Sequence, residues 1–132
     1  QDGVLSFGVD RLSQQTFDKI IKDVASKHKL IDQKFYVGGF SIGGSCAIKY
    51  AENAAIKPIA VFAIDPPLDF ERFYNSAKRD IRLSKDNEAI QENVYMIDRL
   101  EKETGGSPTT ALTEYYTISP YSFSDTTQTA IN

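Results

Sequence analysis

From Phe17 the apolar positions fall at Phe17, Ile20, Ile21 and Val24, with His28 next in the series, a spacing that places them on one face of a helix. The pattern predicts an amphipathic helix over about 14–29, with Ser13 as its cap because a serine hydroxyl can accept from a free N–H of the first turn. Two short aromatic and β-branched runs follow, Lys34-Phe35-Tyr36-Val37-Gly38 and Ile59 to Ile64, the second closed by Asp65-Pro66-Pro67. Each reads as a strand buried on both faces. Between them Ile42 to Asn53 is rich in small residues (Gly43, Gly44, Ser45, Cys46, Ala47, Ala51), as suits a helix packed closely on a sheet. Strand, helix and strand predict a βαβ unit with two parallel strands and a right-handed crossover.

Past Pro67 the helical period returns. Leu68 to Ala77 and Glu88 to Glu103 read as helices, the latter with Ile90, Val94 and Ile97 on one face, and Gly105-Gly106-Ser107-Pro108 stops it. The Thr-, Ser- and Tyr-rich remainder holds one further helical stretch near 109–117. The expected class is α/β, in one domain over 1–132, with 66–118 as a helical insertion after the second strand.

At 132 residues, 41% hydrophobic and 25% charged, the chain has the composition of one ordinary globular domain. Its net charge of −3 comes from acidic and basic residues mixed along the chain, so no basic stripe is present to neutralise a phosphate backbone, which argues against nucleic acid as a partner. No apolar run approaches the roughly 20 residues of a membrane span, and Gln1 opens no signal-like segment. Cys46 is the only cysteine, which rules out an intrachain disulfide and a cysteine-rich zinc site, and it reads as a small buried apolar residue.

The chemistry lies at the turn between the first strand and the small-residue helix. Gly39-Phe40-Ser41-Ile42-Gly43 fits Gly-x-Ser-x-Gly, with a further Gly44. A strand running directly into this pattern and a helix leaving it are the setting of a nucleophile elbow, where glycines on either side let neighbouring backbone approach a strained turn. Ser41 is then the candidate nucleophile. The backbone N–H of Ile42, at the start of the helix, is the candidate donor to a developing oxyanion. A phosphate loop fits less well: Gly38 and Gly43 have the spacing and Ser45 the end of that motif, but Gly44 stands where its lysine belongs. A Gly-x-Gly-x-x-Gly dinucleotide fingerprint is absent from the turn.

The segment Phe35 to Asp65, about a quarter of the chain, resembles the strand–elbow–helix–strand core of α/β-hydrolases of the esterase and lipase type. The helix before it and the helical segment after it, where that family often carries a lid or cap, extend a looser similarity. The resemblance implies a partial α/β-hydrolase fold, with flanking helices and a cap-like insertion over 66–118. It also implies hydrolysis of a carboxylic ester or related small acyl substrate through an acyl-Ser41 intermediate. No metal or organic cofactor is implied. Asp65 is the candidate acid, because some members place it at the end of the strand after the nucleophile helix, although an aspartate before Pro66-Pro67 also commonly starts a turn.

The family orders its triad serine, acid, histidine, whereas the sole histidine here, His28, precedes Ser41. The base is therefore expected outside this chain, the chain reads as a piece of a longer protein, and alone it is expected to have little activity. Two parallel strands also leave apolar edges unpaired, so a further part of the protein or self-association is expected to complete the sheet. The alternative is a non-catalytic α/β-hydrolase-fold protein used for binding or scaffolding. Asp69 and Glu71 read as surface charges of the following helix, and Phe70, Phe73 and Tyr74 as core residues or the lining of a substrate pocket.

Overall fold

The structure, a computed structural model, describes residues 6–28 and 34–127. Five helices and two strands occur among them: α1 (Arg11–Lys27), β1 (Tyr36–Phe40), α2 (Ile42–Asn53), β2 (Ala60–Ile64), α3 (Phe70–Leu83), α4 (Asn87–Thr104) and α5 (Pro108–Ile118). The described residues divide into two compact units, one within Phe7–Leu68 and the other formed by residues 69–127 together with Ser6.

In the Phe7–Leu68 unit the βαβ expectation holds: β1 and β2 pair in parallel, in a register that sets Tyr36 against Ala60 and Phe40 against Ile64. One face of this pair is covered by α2, whose Ala47 and Tyr50 are buried, and α2 in turn packs on α1. Two boundaries of α1 differ from the sequence reading. Asp10, not Ser13, is its N-cap, accepting from the N–H groups of Leu12 (2.9 Å) and Ser13 (3.0 Å). A carboxylate at the helix start also meets the positive end of the helix dipole, so the helix begins a turn earlier than its apolar stripe suggests. At the other end His28 is the exposed C-cap, and residue 29 lies outside the described residues.

Burial of the strands on both faces does not hold. Tyr36 (68% exposed), Phe40 (69%), Phe62 (60%) and Ile64 (58%) form an open apolar face, with the Phe62 ring lying where a Cβ on Gly38 would stand. Along α1, Ile20 and Val24 are exposed too, and Phe17, Ile20 and Ile21 line an apolar cavity of about 170 Å³ with Val37, Cys46 and Tyr50.

The second unit is helical throughout its regular structure. Its core is built from Phe70, Tyr74 and Ala77 of α3, Ile97 and Leu100 of α4, and Tyr115 and Ile118 of α5. Aromatic edges meet faces here: Phe70 and Phe73 at 6.2 Å, Tyr74 and Tyr115 at 5.8 Å between ring centroids. Tyr74 donates its hydroxyl to Glu101, which satisfies a phenol that the core would otherwise strand. Asp69 caps α3, accepting from Arg72 N–H (3.0 Å) and also from Phe123 N–H (2.9 Å), so it is a structural cap more than a free surface charge.

The α/β class, and with it a partial α/β-hydrolase fold, is therefore overturned for this chain. Among the described residues helix makes up 62% and strand 9%, with only two parallel strands. After Ile64 the apolar residues recur every three to four positions among Lys, Arg, Glu and Asp, a pattern that buries an apolar stripe as helix and not as strand. Among the described residues no helix is long and apolar enough to cross a membrane.

Candidate functional site

The site grows out of the end of β1. Ser41 follows the last strand residue and precedes the first helical one, and its backbone lies at φ 51°, ψ −128°. Such a conformation is rare for a residue with a Cβ and persists only where its surroundings force it. A serine at a helix start ordinarily turns its hydroxyl back to cap the first-turn N–H groups. Ser41 does not: its side chain makes no capping hydrogen bond, and the residue is half exposed.

Backbone contacts fix this turn. Ser41 donates its N–H to the Ile64 carbonyl of the neighbouring strand (2.9 Å), while its own carbonyl accepts from Gly44 N–H (2.8 Å) and Ser45 N–H (3.2 Å). The N–H groups of Ile42 and Gly43 form no hydrogen bond among the described residues, as first-turn donors of a helix do when no side chain caps them. With the Ser41 amide committed to Ile64, these two donors are the ones left to meet negative charge at the serine.

The flanking glycines divide their work unevenly. A Cβ on Gly39 would lie 2.2 Å from the carbonyl carbon and oxygen of Gly43, so only glycine allows the end of β1 to pass the start of α2. Gly43 itself has nothing within 4 Å of the corresponding point, so the expectation of close backbone approach on that side is not met. The close approach falls instead on Gly44, whose added Cβ would stand 3.1 Å from Ala63, Gly39 and Pro66 atoms.

Comparison with protein-family models, curated proteins and solved structures finds no match to this chain.

Of the other residues singled out from sequence, Asp65 follows β2 as Ser41 follows β1, one position beyond the paired Phe40 and Ile64. It is exposed and has φ 50°. The topology thus brings Ser41, Ile42 and Asp65 to the carboxyl end of the two strands. His28 is the exposed C-cap of α1, donates its backbone N–H to the Val24 carbonyl, and makes no hydrogen bond to Ser41. Phe70 and Tyr74 are buried in the helical core. Cys46 is partly buried, and burial pushes its thiol above the ordinary value, with Gln14 opposing and Asp10 reinforcing the shift, so it is a poor rival nucleophile. No group of three His, Cys, Asp or Glu residues among those described could hold a metal ion.

One contact at this site carried no functional signal in sequence. Ser45, fully buried, donates its hydroxyl to the Pro67 carbonyl at 2.6 Å. It had fitted only the end of a phosphate-loop pattern, and its partner 22 residues away is set by the fold.

Proposed function

We propose that this protein is a serine hydrolase acting on a carboxylic ester or related small acyl compound through an acyl-Ser41 intermediate. The observation that carries the reading is the Ser41 backbone, φ 51° and ψ −128°, which holds the hydroxyl away from its capping position while the Ile42 N–H stands free. In this reading Ser41 Oγ attacks the acyl carbon and Ile42 N–H stabilises the oxyanion. Asp65 is the acid that orients the base. That base is a histidine supplied from outside these residues, because His28 is the only one and precedes β1. The esterase and lipase group of α/β-hydrolases is the proposed kinship, resting on the elbow segment alone. The open sheet face, and strand edges that no described residue pairs, fit completion by further strands or by self-association.

The test supplies the base from solution. The protein is incubated with a fluorophosphonate probe and imidazole, and the adduct is located by peptide mass. The expected result is modification at Ser41, at least about ten times faster than at exposed Ser26, since one oxyanion donor alone is worth about 10²–10³ in rate. Adduct spread evenly over the serines, or surviving Ser41→Ala, refutes the assignment. The position of His28 favours one second reading, a binding protein without catalysis, and an unmodified Ser41 supports it.

A further inference from the structure

Asp65 is bracketed by two hydrogen bonds that both come from the beginning of α2. The carbonyl of Ile64, just before it, accepts from Ser41 N–H (2.9 Å), and the carbonyl of Pro67, two residues after it, accepts from Ser45 Oγ (2.6 Å). Between these ties Asp65 adopts φ 50°, a conformation that a non-glycine residue keeps only under constraint. Gly44 completes the arrangement, since its missing side chain lets Pro66 and Ala63 close on the helix. Pro66 and Pro67 have no N–H to anchor the turn themselves, so among the described residues the Ser45 hydroxyl supplies the polar tie on the far side of Asp65.

We propose that Ser45 is a positioning residue of the site: its buried hydroxyl holds the Asp65 turn against the first turn of α2 and so keeps the Asp65 carboxylate next to the Ser41 position. This rests on the hydrolase reading for its consequence, though not for its geometry. A buried hydroxyl in the first turn of a helix has nearer acceptors in its own backbone, and its bond to a carbonyl 22 residues on is what joins the two strand ends.

Two measurements on the intact chain test it. In the first, amide exchange at Ser41 N–H is followed by NMR. Ser45→Ala accelerates that exchange by about tenfold or more and leaves Leu100 N–H, in the helical unit, unchanged, as local opening requires. In the second, imidazole-assisted phosphonylation of Ser41 is measured in a cycle of Ser45→Ala and Asp65→Asn. Ser45→Ala lowers the rate several-fold when Asp65 is present and has no further effect when it is Asn, because the serine acts through the aspartate. Should Ser45→Ala fail to fold, Ser45→Cys, with a weaker donor of similar shape, enters both measurements in its place. Unchanged exchange at Ser41, or an equal rate loss in both Asp65 backgrounds, overturns the proposal. A wild-type chain that forms no adduct at Ser41 refutes the hydrolase reading instead, and the exchange result then decides the role of Ser45 by itself.

Discussion

Ser41 and Asp65 stand side by side at the carboxyl ends of β1 and β2, one residue beyond the Phe40–Ile64 pair, and both have positive φ, 51° and 50°. Neither is a glycine, and among the described residues no other non-glycine position shares this conformation. Backbone of this kind costs about 1–3 kcal/mol per residue, so two neighbouring instances mark the place where the fold spends stability on geometry.

Relieving that strain separates stability from chemistry. Ser41→Gly is expected to raise the unfolding free energy by about 1 kcal/mol relative to Ser41→Ala, since lost strain outweighs the added chain entropy of glycine. Both variants lose the fluorophosphonate adduct. Urea denaturation of the pair decides the first point, and equal midpoints would show that Ser41 is not strained.

The two elbow glycines are expected to respond oppositely to alanine. Gly39→Ala drives a Cβ to 2.2 Å from the Gly43 carbonyl and lowers stability by about 3 kcal/mol or more, because the obstacle is backbone and cannot rotate away. Gly43→Ala meets nothing within 4 Å and is neutral, or gains up to about 1 kcal/mol from helix propensity. A thermal melt of each variant distinguishes them, and a Gly39→Ala protein as stable as the parent would remove the close crossing of β1 and α2.

Alkaline pH should weaken the Phe7–Leu68 unit through Tyr50. Burial, reinforced by its hydrogen bond to Asp18 (3.2 Å), pushes this phenol up to about 12 from an ordinary 10.0. The folded form keeps its proton where the unfolded chain has begun to lose it, so the contribution is complete below pH 10 and disappears as pH rises to about 12. Tyr50→Phe is expected to flatten this part of the stability profile, measured by urea unfolding between pH 9 and 12. A variant whose profile keeps the parent's slope would contradict the assignment.

The exposed sheet face predicts concentration-dependent association. Phe40→Lys with Ile64→Lys should lower the associated fraction in sedimentation while changing stability by no more than about 0.5 kcal/mol, as both side chains are already in solvent. A parent protein that stays monomeric at high concentration would end the self-association arm of the proposal and leave completion by further strands.

Local pattern was enough for several of these features. Short aromatic and β-branched runs located β1 and β2, the run of small residues between them located α2, and the 3.6-residue apolar period located α4, because these marks arise from geometry and packing within each element. The glycine-serine-glycine spacing likewise picked out Ser41, since a tight strand-to-helix turn leaves its mark in the residues that make it. The start of α1 was missed: Asp10 stands ahead of the apolar stripe, and a cap is chosen by which oxygen reaches a free N–H, not by periodicity.

What the sequence determined alone was therefore the elements, their order and the residue at the turn. Tertiary structure decided the balance of the fold, with helix far outweighing the two strands, and which faces stayed open, as at Tyr36 and Phe62. It also decided that Gly44 and not Gly43 is the crowded neighbour, and that Ser45 reaches Pro67. Burial and long-range hydrogen bonds depend on which segments meet in space, and residues 22 positions apart carry no local signature of their meeting.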